Sequence, residues 1–159
     1  AGKAELNVEY IVDDANTLTS IKGEKFDLII MSGVLHHLDY DLVIPTLESL
    51  LEKNGKIIML EPMGTNPFIN LFRKFTPNLR TKDEHPLHFK DLIYIKKVFP
   101  KSKFELHSIV SLGMIPLTLI FSKKFLLKLS KPLGKLDLLL AKIPIIKRFS
   151  WLVLIDARF

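Results

Sequence analysis

The residues able to do chemistry in this chain fall into a few short groups, and their spacing limits what each group could do. The densest is the run TPNLRTKDEHPLH, Thr76 to His88, which holds Arg80, Asp83, Glu84, His85 and His88 between prolines. A metal ion would need donors that converge on one point. Their spacing matches no standard site and Pro86 interrupts any helical face, so no metal is expected. Arg80 offers a forked donor suited to an anionic group. Two further histidines, His36 and His37, are adjacent. On a helix entrance such neighbours project about 100° apart, so they are not expected to share one ion. His37 is favoured as a pocket-lining residue. With Asp83 and His85 it makes three candidate catalytic bases, and the residues alone rank none above the others. Glu61 and His88 join Arg80 as candidate substrate contacts. Asp14, at the end of an apolar stretch, can be read on its own as capping the next turn, and Asp13 can be read the same way.

These side chains need elements to position them. Phe26 to Met31 is an apolar run centred on Ile29 and Ile30 that breaks at Ser32-Gly33, the pattern of a strand buried on both faces in a parallel sheet. Tyr40 to Lys53 places Leu42, Val43, Leu47, Leu50 and Leu51 near helical spacing. Gly55 to Pro62 is a second apolar strand. Strand, helix and strand form a βαβ unit with a right-handed crossover. Ligands of such sheets sit beyond the strand carboxyl ends, so Ser32-Gly33-Val34 and Glu61-Pro62 should lie side by side and frame one pocket. Gly33 would let backbone approach a ligand closely. Upstream, Val8 to Val12 is expected as a short strand. Downstream, Asn66-Pro67 starts a helix through Phe68, Leu71, Phe72 and Phe75. Thr76 to His88 is then a loop over the sheet end, a candidate substrate lid. A helix from Phe89 to Phe99 stops at Pro100, and Lys103 to Ser111 alternates as a late strand.

Taken in order, Asp14-Ala15, FDLIIMSGVLHHL and LLEKNGKIIMLEP resemble the second half of a class I S-adenosylmethionine-dependent methyltransferase. The arrangement is similar to that of small-molecule methyltransferases of the ubiquinone/menaquinone-biosynthesis type. The resemblance covers roughly Val8 to Pro62, with a less general extension through His88. It implies a Rossmann-like α/β sheet and S-adenosyl-L-methionine as cofactor. By resemblance, Asp14 accepts from the adenine amino group, the Ala15 amide reaches a ring nitrogen, and Ser32, Gly33 and Val34 lie by the methionine end. It also implies an antiparallel sheet edge near residues 103–111, and one ring of the His36-His37 pair near the mouth of the site. The family's glycine-rich loop and the acidic residue after its second strand have no counterpart here. The expectation is therefore of a partial sheet, cut from something longer, that by itself binds the cofactor weakly or not at all and is inactive without the missing N-terminal part.

At 159 residues the chain can bury one ordinary core, and 48% apolar with 25% charged residues excludes disorder. With no cysteine, disulfides and thiolate metal sites are excluded. The net charge of +6 hides a split: residues 1–89 carry 9 Lys/Arg against 13 Asp/Glu, and residues 90–159 carry 14 against 4. The expected organisation is residues 1–111 as the C-terminal part of a methyltransferase domain, with 62–89 as its substrate loop, and 112–159 as a basic, leucine-rich helical extension. Short Lys/Leu segments of this kind either lie in a membrane interface or pack on their own domain. The partners expected are a small-molecule or lipid acceptor and, through 112–159, an anionic membrane surface, in a cytoplasmic protein peripheral at the inner membrane face. Nucleic acid is disfavoured, because the lysines interleave with leucine rather than with stacking aromatics. Two other readings stay open: a non-catalytic binding module whose basic tail docks on membranes or partners, and a nucleotide-dependent oxidoreductase on a similar sheet.

Overall fold

Two parallel strands joined by one helix form the centre of the molecule. The computed structural model describes residues 8–79, 81, 83–111, 114–118 and 121–159. Strand β1 (Phe26–Ser32) pairs in parallel with β2 (Leu51–Pro62), in the register Ile29↔Ile57 to Ser32↔Leu60. Between them runs α1 (Tyr40–Leu50). It starts at Asp39, whose side chain accepts from the Asp41 amide at 2.9 Å. Val43, Ile44, Leu47 and Leu50 form its buried stripe. Leu42 faces solvent, and Leu51 already belongs to β2, so the strand begins four residues before the expected Gly55.

The helices α2 (Pro67–Phe75) and α3 (Phe89–Val98) follow where the capping residues require. The Asn66 side chain accepts from the amides of Phe68 and Ile69, and the Asp91 carboxylate accepts from the His88 amide at 2.7 Å. Strand β3 (Lys103–His107) forms one sheet edge, as expected for this stretch, but stops four residues short of Ser111.

The last part of the chain departs most from expectation. After α4 (Met114–Leu117), α5 (Lys123–Leu140) and α6 (Pro144–Lys147), residues Leu152–Ala157 form β4 instead of another leucine-rich helical segment. Strand β4 inserts antiparallel between β2 and β3, giving the order β1-β2-β4-β3. Its alternation explains why: Val153, Ile155 and Ala157 are fully buried, while Leu152, Leu154 and Asp156 are only partly covered. An apolar run this short satisfies a strand and a buried helix equally well, and pairing with two neighbours decides the matter.

The core lies on one face of the sheet. Ile57, Met59, Val153 and Ile155 meet Val43, Ile44 and Leu47 of α1 and Leu92, Ile95 and Phe99 at α3, with the Phe159 ring tilted against that of Phe99 at 5.2 Å. The expected burial of β1 on both faces is not found. This strand is a sheet edge, with Ile30 70% exposed and Leu28 also open to solvent. Val8 to Val12 forms no strand, and Tyr10 and Val12 are exposed. Both observations have one cause: among the described residues, no strand lies beyond β1 for either segment to pair with. Helix α5 is fixed to the end of β3 through Asp137. Its buried carboxylate accepts from the amides of Ile109 at 3.1 Å and Val110 at 2.6 Å, and from the Ser111 hydroxyl.

This architecture predicts a contrast between two residues of the C-terminal third. Ile155→Ala should destabilise the protein by about 2–5 kcal/mol, whereas Leu138→Ser, on the exposed side of α5, should stay within about 0.5 kcal/mol. Denaturant unfolding of the two variants measures the difference.

Candidate active site at the strand tips

The tips of β1 and β2 meet at one buried carboxylate. Glu61 has no exposed surface, and its Oε1 accepts from the amides of Val34 at 3.1 Å and Leu35 at 3.0 Å. Its Oε2 accepts from the His36 amide at 3.4 Å and lies 2.7 Å from His36 Nδ1. These amides begin the single 3-10 turn Leu35–His37, where the orphan donors of a helical start would otherwise be unsatisfied. Gly33 makes the preceding bend at φ +63°, and its amide donates to the Leu60 carbonyl at 2.9 Å. Ser32-Gly33 and Glu61-Pro62 therefore share one end of the sheet.

Glu61 and His36 thus hold the backbone in place, although Glu61 was expected among the substrate contacts. The adjacent His37 ring is partly exposed and takes a different carboxylate: its Nδ1 lies 3.1 Å from Asp83 Oδ2 and 3.2 Å from Thr81 Oγ1. The two histidines therefore have separate carboxylate partners, although their rings lie against each other with centroids 4.1 Å apart. Asp83's own amide, the Thr81 hydroxyl and His37 together hold its carboxyl below the usual carboxylate range. The rest of the loop closes over this turn. The His85 amide donates to the His36 carbonyl at 2.6 Å, and the Tyr40 hydroxyl donates to the His85 carbonyl at 3.2 Å. Burial, reinforced by the carboxylates of Asp91 and Glu61, pushes the Tyr40 phenol well above its ordinary pKa, so it remains a donor. Leu87 is fully buried and bridges to Met63, which continues the loop alongside β2.

Two cavities flank the turn. One, of about 390 Å³, lies at the strand tips beneath α2; Ser32, Gly33, Leu60, Phe72, Arg73 and Trp151 are among its lining residues. The other, of about 1010 Å³, is an open cleft that brings together His37, Tyr40, His85 and His88. Glu84 lines both, and its carboxylate lies 3.8 Å from Arg73. Of the expected base candidates, His37 and Asp83 are in direct contact and His85 lines the same cleft as His37. His88 caps α3, and its ring lies against Gly64, where a Cβ would come within 2.8 Å of Nε2. Arg80 lies outside the described residues.

The expected cofactor residues occupy two places. Ser32 and Gly33 line the smaller cavity, while the Gly33 and Val34 amides are already bonded to Leu60 and Glu61. Asp14 accepts from the Asn16 amide at 2.9 Å through Oδ1, and Asn16 in turn accepts from the amide of Asp39 at the start of α1. Asp14 thus caps the turn that follows it, and Asp13 also caps, binding the Ser20 amide at 2.6 Å, which is the chief reason its pKa is lowered. Sequence reasoning missed Arg73, Tyr40 and Trp151. Arg73 and Trp151 read as ordinary members of amphipathic segments, and Tyr40 as a helix start.

Residues 1–59 match the family model described as "Methyltransferase domain". A solved structure, a SAM-dependent methyltransferase from Archaeoglobus fulgidus, superposes with a TM-score of 0.56 at 17% identity, over 93% of this chain and 66% of that one. The chain carries a class I, Rossmann-like methyltransferase fold. It spans just under two thirds of the archaeal protein. No curated protein matches the sequence. Within this methyltransferase fold, the Glu61 carboxylate is the contact that sets the shape of the strand tips.

Replacing Glu61 by Ala should therefore cost about 3–5 kcal/mol, because it strands the buried His36 ring and three turn amides. Glu61→Gln, which keeps an acceptor for those amides, should lose distinctly less in the same unfolding measurement.

Proposed function

We propose that this chain supplies the methionine-end and acceptor side of an S-adenosylmethionine-dependent methyltransferase site, acting on a small lipidic or anionic acceptor. The observation that carries this reading is the convergence of Ser32-Gly33 and Glu61-Pro62 beside a partly apolar cavity. Gly33 fits a close ligand: a Cβ there would meet only His36 Cε1, at 3.9 Å. At Asp14-Ala15, the Asp14 Oδ2 and the Ala15 amide have no hydrogen-bond partner among the described residues, which suits recognition of an amino-substituted ring. Asp14, Ala15, Ser32, Gly33 and Val34 would hold the cofactor, Gly33 and Val34 through bare backbone and side-chain surface instead of their amides. When bound, S-adenosylmethionine supplies a methyl group on a good sulfonium leaving group.

The chain's own residues must orient the acceptor, exclude water and, for an oxygen nucleophile, take its proton. Loop residues 85–87 are tied to His36 and Pro62 at the strand tips, and His85 and Pro86 line the larger cleft. Arg73, beside Glu84, places a cation at the cavity wall for an anionic group. With Nδ1 held by Asp83, His37 keeps Nε2 to accept a proton from an acceptor that extends into the larger cleft, and Asp83 acts as its positioning residue.

Isothermal titration of the intact protein and a labelled-methyl assay with a membrane-lipid extract test the reading. Binding of S-adenosylmethionine in preference to nicotinamide nucleotides, with label transferred to an extract component, is the expected result. Preference for a nicotinamide cofactor would overturn it in favour of an oxidoreductase. For an oxygen acceptor, His37→Ala should lower turnover by about 10²–10⁴-fold and Asp83→Asn by less, with cofactor affinity unchanged. Because the Asp83 carboxyl is held low, it is ionised above its unfolded value near pH 4, and its contribution disappears only as pH falls through the lower folded value. Asp83 itself should therefore stay a carboxylate from about pH 6 to about pH 8, so any change in the Asp83→Asn loss across that window would report the titration of another group.

A further inference from the structure

Helix α2 has two faces with opposite surroundings. One face, Ile69, Phe72 and Arg73, lines the cavity at the strand tips together with Thr76. The other, Phe68, Leu71 and Phe75 at helical spacing, is turned to solvent, with Phe68 80% and Phe75 75% exposed. Scattered exposed apolar residues need no explanation, but an aromatic stripe on the outer wall of a ligand cavity does. The Asn66 side chain donates to the Phe149 carbonyl at 2.6 Å and the Thr65 hydroxyl to the Ser150 carbonyl at 3.3 Å, so the start of α2 adjoins the end of α6. There Ile145 is 72% exposed and Phe149 is partly open, next to Lys147 and Arg148. On α5, exposed Phe125, Leu127, Leu138 and Leu139 alternate with exposed Lys124, Lys128, Lys131 and Lys135. Residues 121–159 carry 9 Lys/Arg against 2 Asp/Glu. A partner with an ordinary protein surface would not match so many cations interleaved with leucine. A bilayer surface rich in anionic headgroups matches both components. Among the described residues, no helix is long and apolar enough to cross a membrane, so the contact is with the interface.

We infer that α2, with α5 and α6, docks on an anionic membrane surface, and that α2 is the wall through which a lipidic acceptor reaches the strand-tip cavity. The inference deepens the methyltransferase reading, and its docking part can fail while that reading stands.

The test is flotation of the intact protein with vesicles of phosphatidylcholine alone or with about 30% phosphatidylglycerol. Binding to the anionic vesicles only, weakened by salt, is expected. Phe68→Ser/Leu71→Ser/Phe75→Ser should bind about tenfold or more weakly while unfolding as the parent does, and Lys124→Glu/Lys128→Glu/Lys131→Glu should abolish the anionic preference. Equal recovery from both vesicle types would overturn the docking. So would a stripe variant that binds vesicles like the parent but converts a dimer to monomer, which would assign the stripe to a second copy. Cofactor titration of the same samples separates either failure from failure of the enzyme reading. If the stripe variant loses vesicle binding yet methylates vesicle-embedded and detergent-dispersed acceptors at the parent's ratio, the entry route through α2 is wrong.

Discussion

A carboxylate with no exposed surface has to be met by donors, and Glu61 collects them from the turn that leaves β1. That requirement joins β1 and β2 beyond their backbone ladder and shared core packing, and it does so at their carboxyl ends. It also decides which histidine is available. With His36 turned inward onto Glu61, its neighbour His37 must project elsewhere, and Asp83 and Thr81 meet it there. The loop then docks on the same turn through the His85 amide, so the position of the loop follows from the same buried carboxylate. Removing the charge would loosen the strand tips, the histidine pair and the loop together, a coupling that pairwise energies understate.

The sheet itself is finished on one face only. Helices α1 and α3 cover Ile57, Met59, Val153 and Ile155, whereas Leu28 and Ile30 on the edge strand stay open. An apolar strand edge is a template for pairing. The exposed apolar stretch at residues 8–12 lies next in sequence to the Asp13-Asp14 turn. This solvent-open arrangement occurs at the end of the sheet where the methyltransferase resemblance finds no counterpart for the family's glycine-rich loop. The other edge of the sheet is β3, joined to β2 through β4, the last strand in sequence but an interior one in space.

What could be read from the residues follows from how local the governing physics is. The turn at Ser32-Gly33, the Asn66-Pro67 helix start and the stop at Pro100 each depend on near neighbours, and each is where the residues put it. The meeting of the strand tips was legible too, because a βαβ unit leaves little choice. Strand β4 was not, because LVLIDA differs from the preceding leucine-rich helices only in its partners, and those lie about fifty and ninety-five residues upstream. The inward role of Glu61 was equally hidden: a glutamate at a strand end looks the same in sequence whether it faces substrate or backbone. His37 and Asp83 were both singled out as bases, but their contact across 46 positions depends on how the loop folds back.

The charge division of the chain takes on a different meaning once the cavity is in view. An acidic first half and a basic second half suggest two bodies with a seam near residue 111. Yet Trp151 and Leu152 line the same cavity as Ser32 and Gly33, and the Asn66 side chain binds backbone at residue 149. The basic segment therefore passes out over α5 and α6 and returns to complete the site. The exposed lysines of this segment lie outside the lining of the strand-tip cavity, whose own described cation, Arg73, lies beside Glu84. Under the proposed function, such separation would suit an acceptor whose head is drawn to the protein surface by long-range attraction and whose apolar body would be held by Leu60, Phe72 and Trp151.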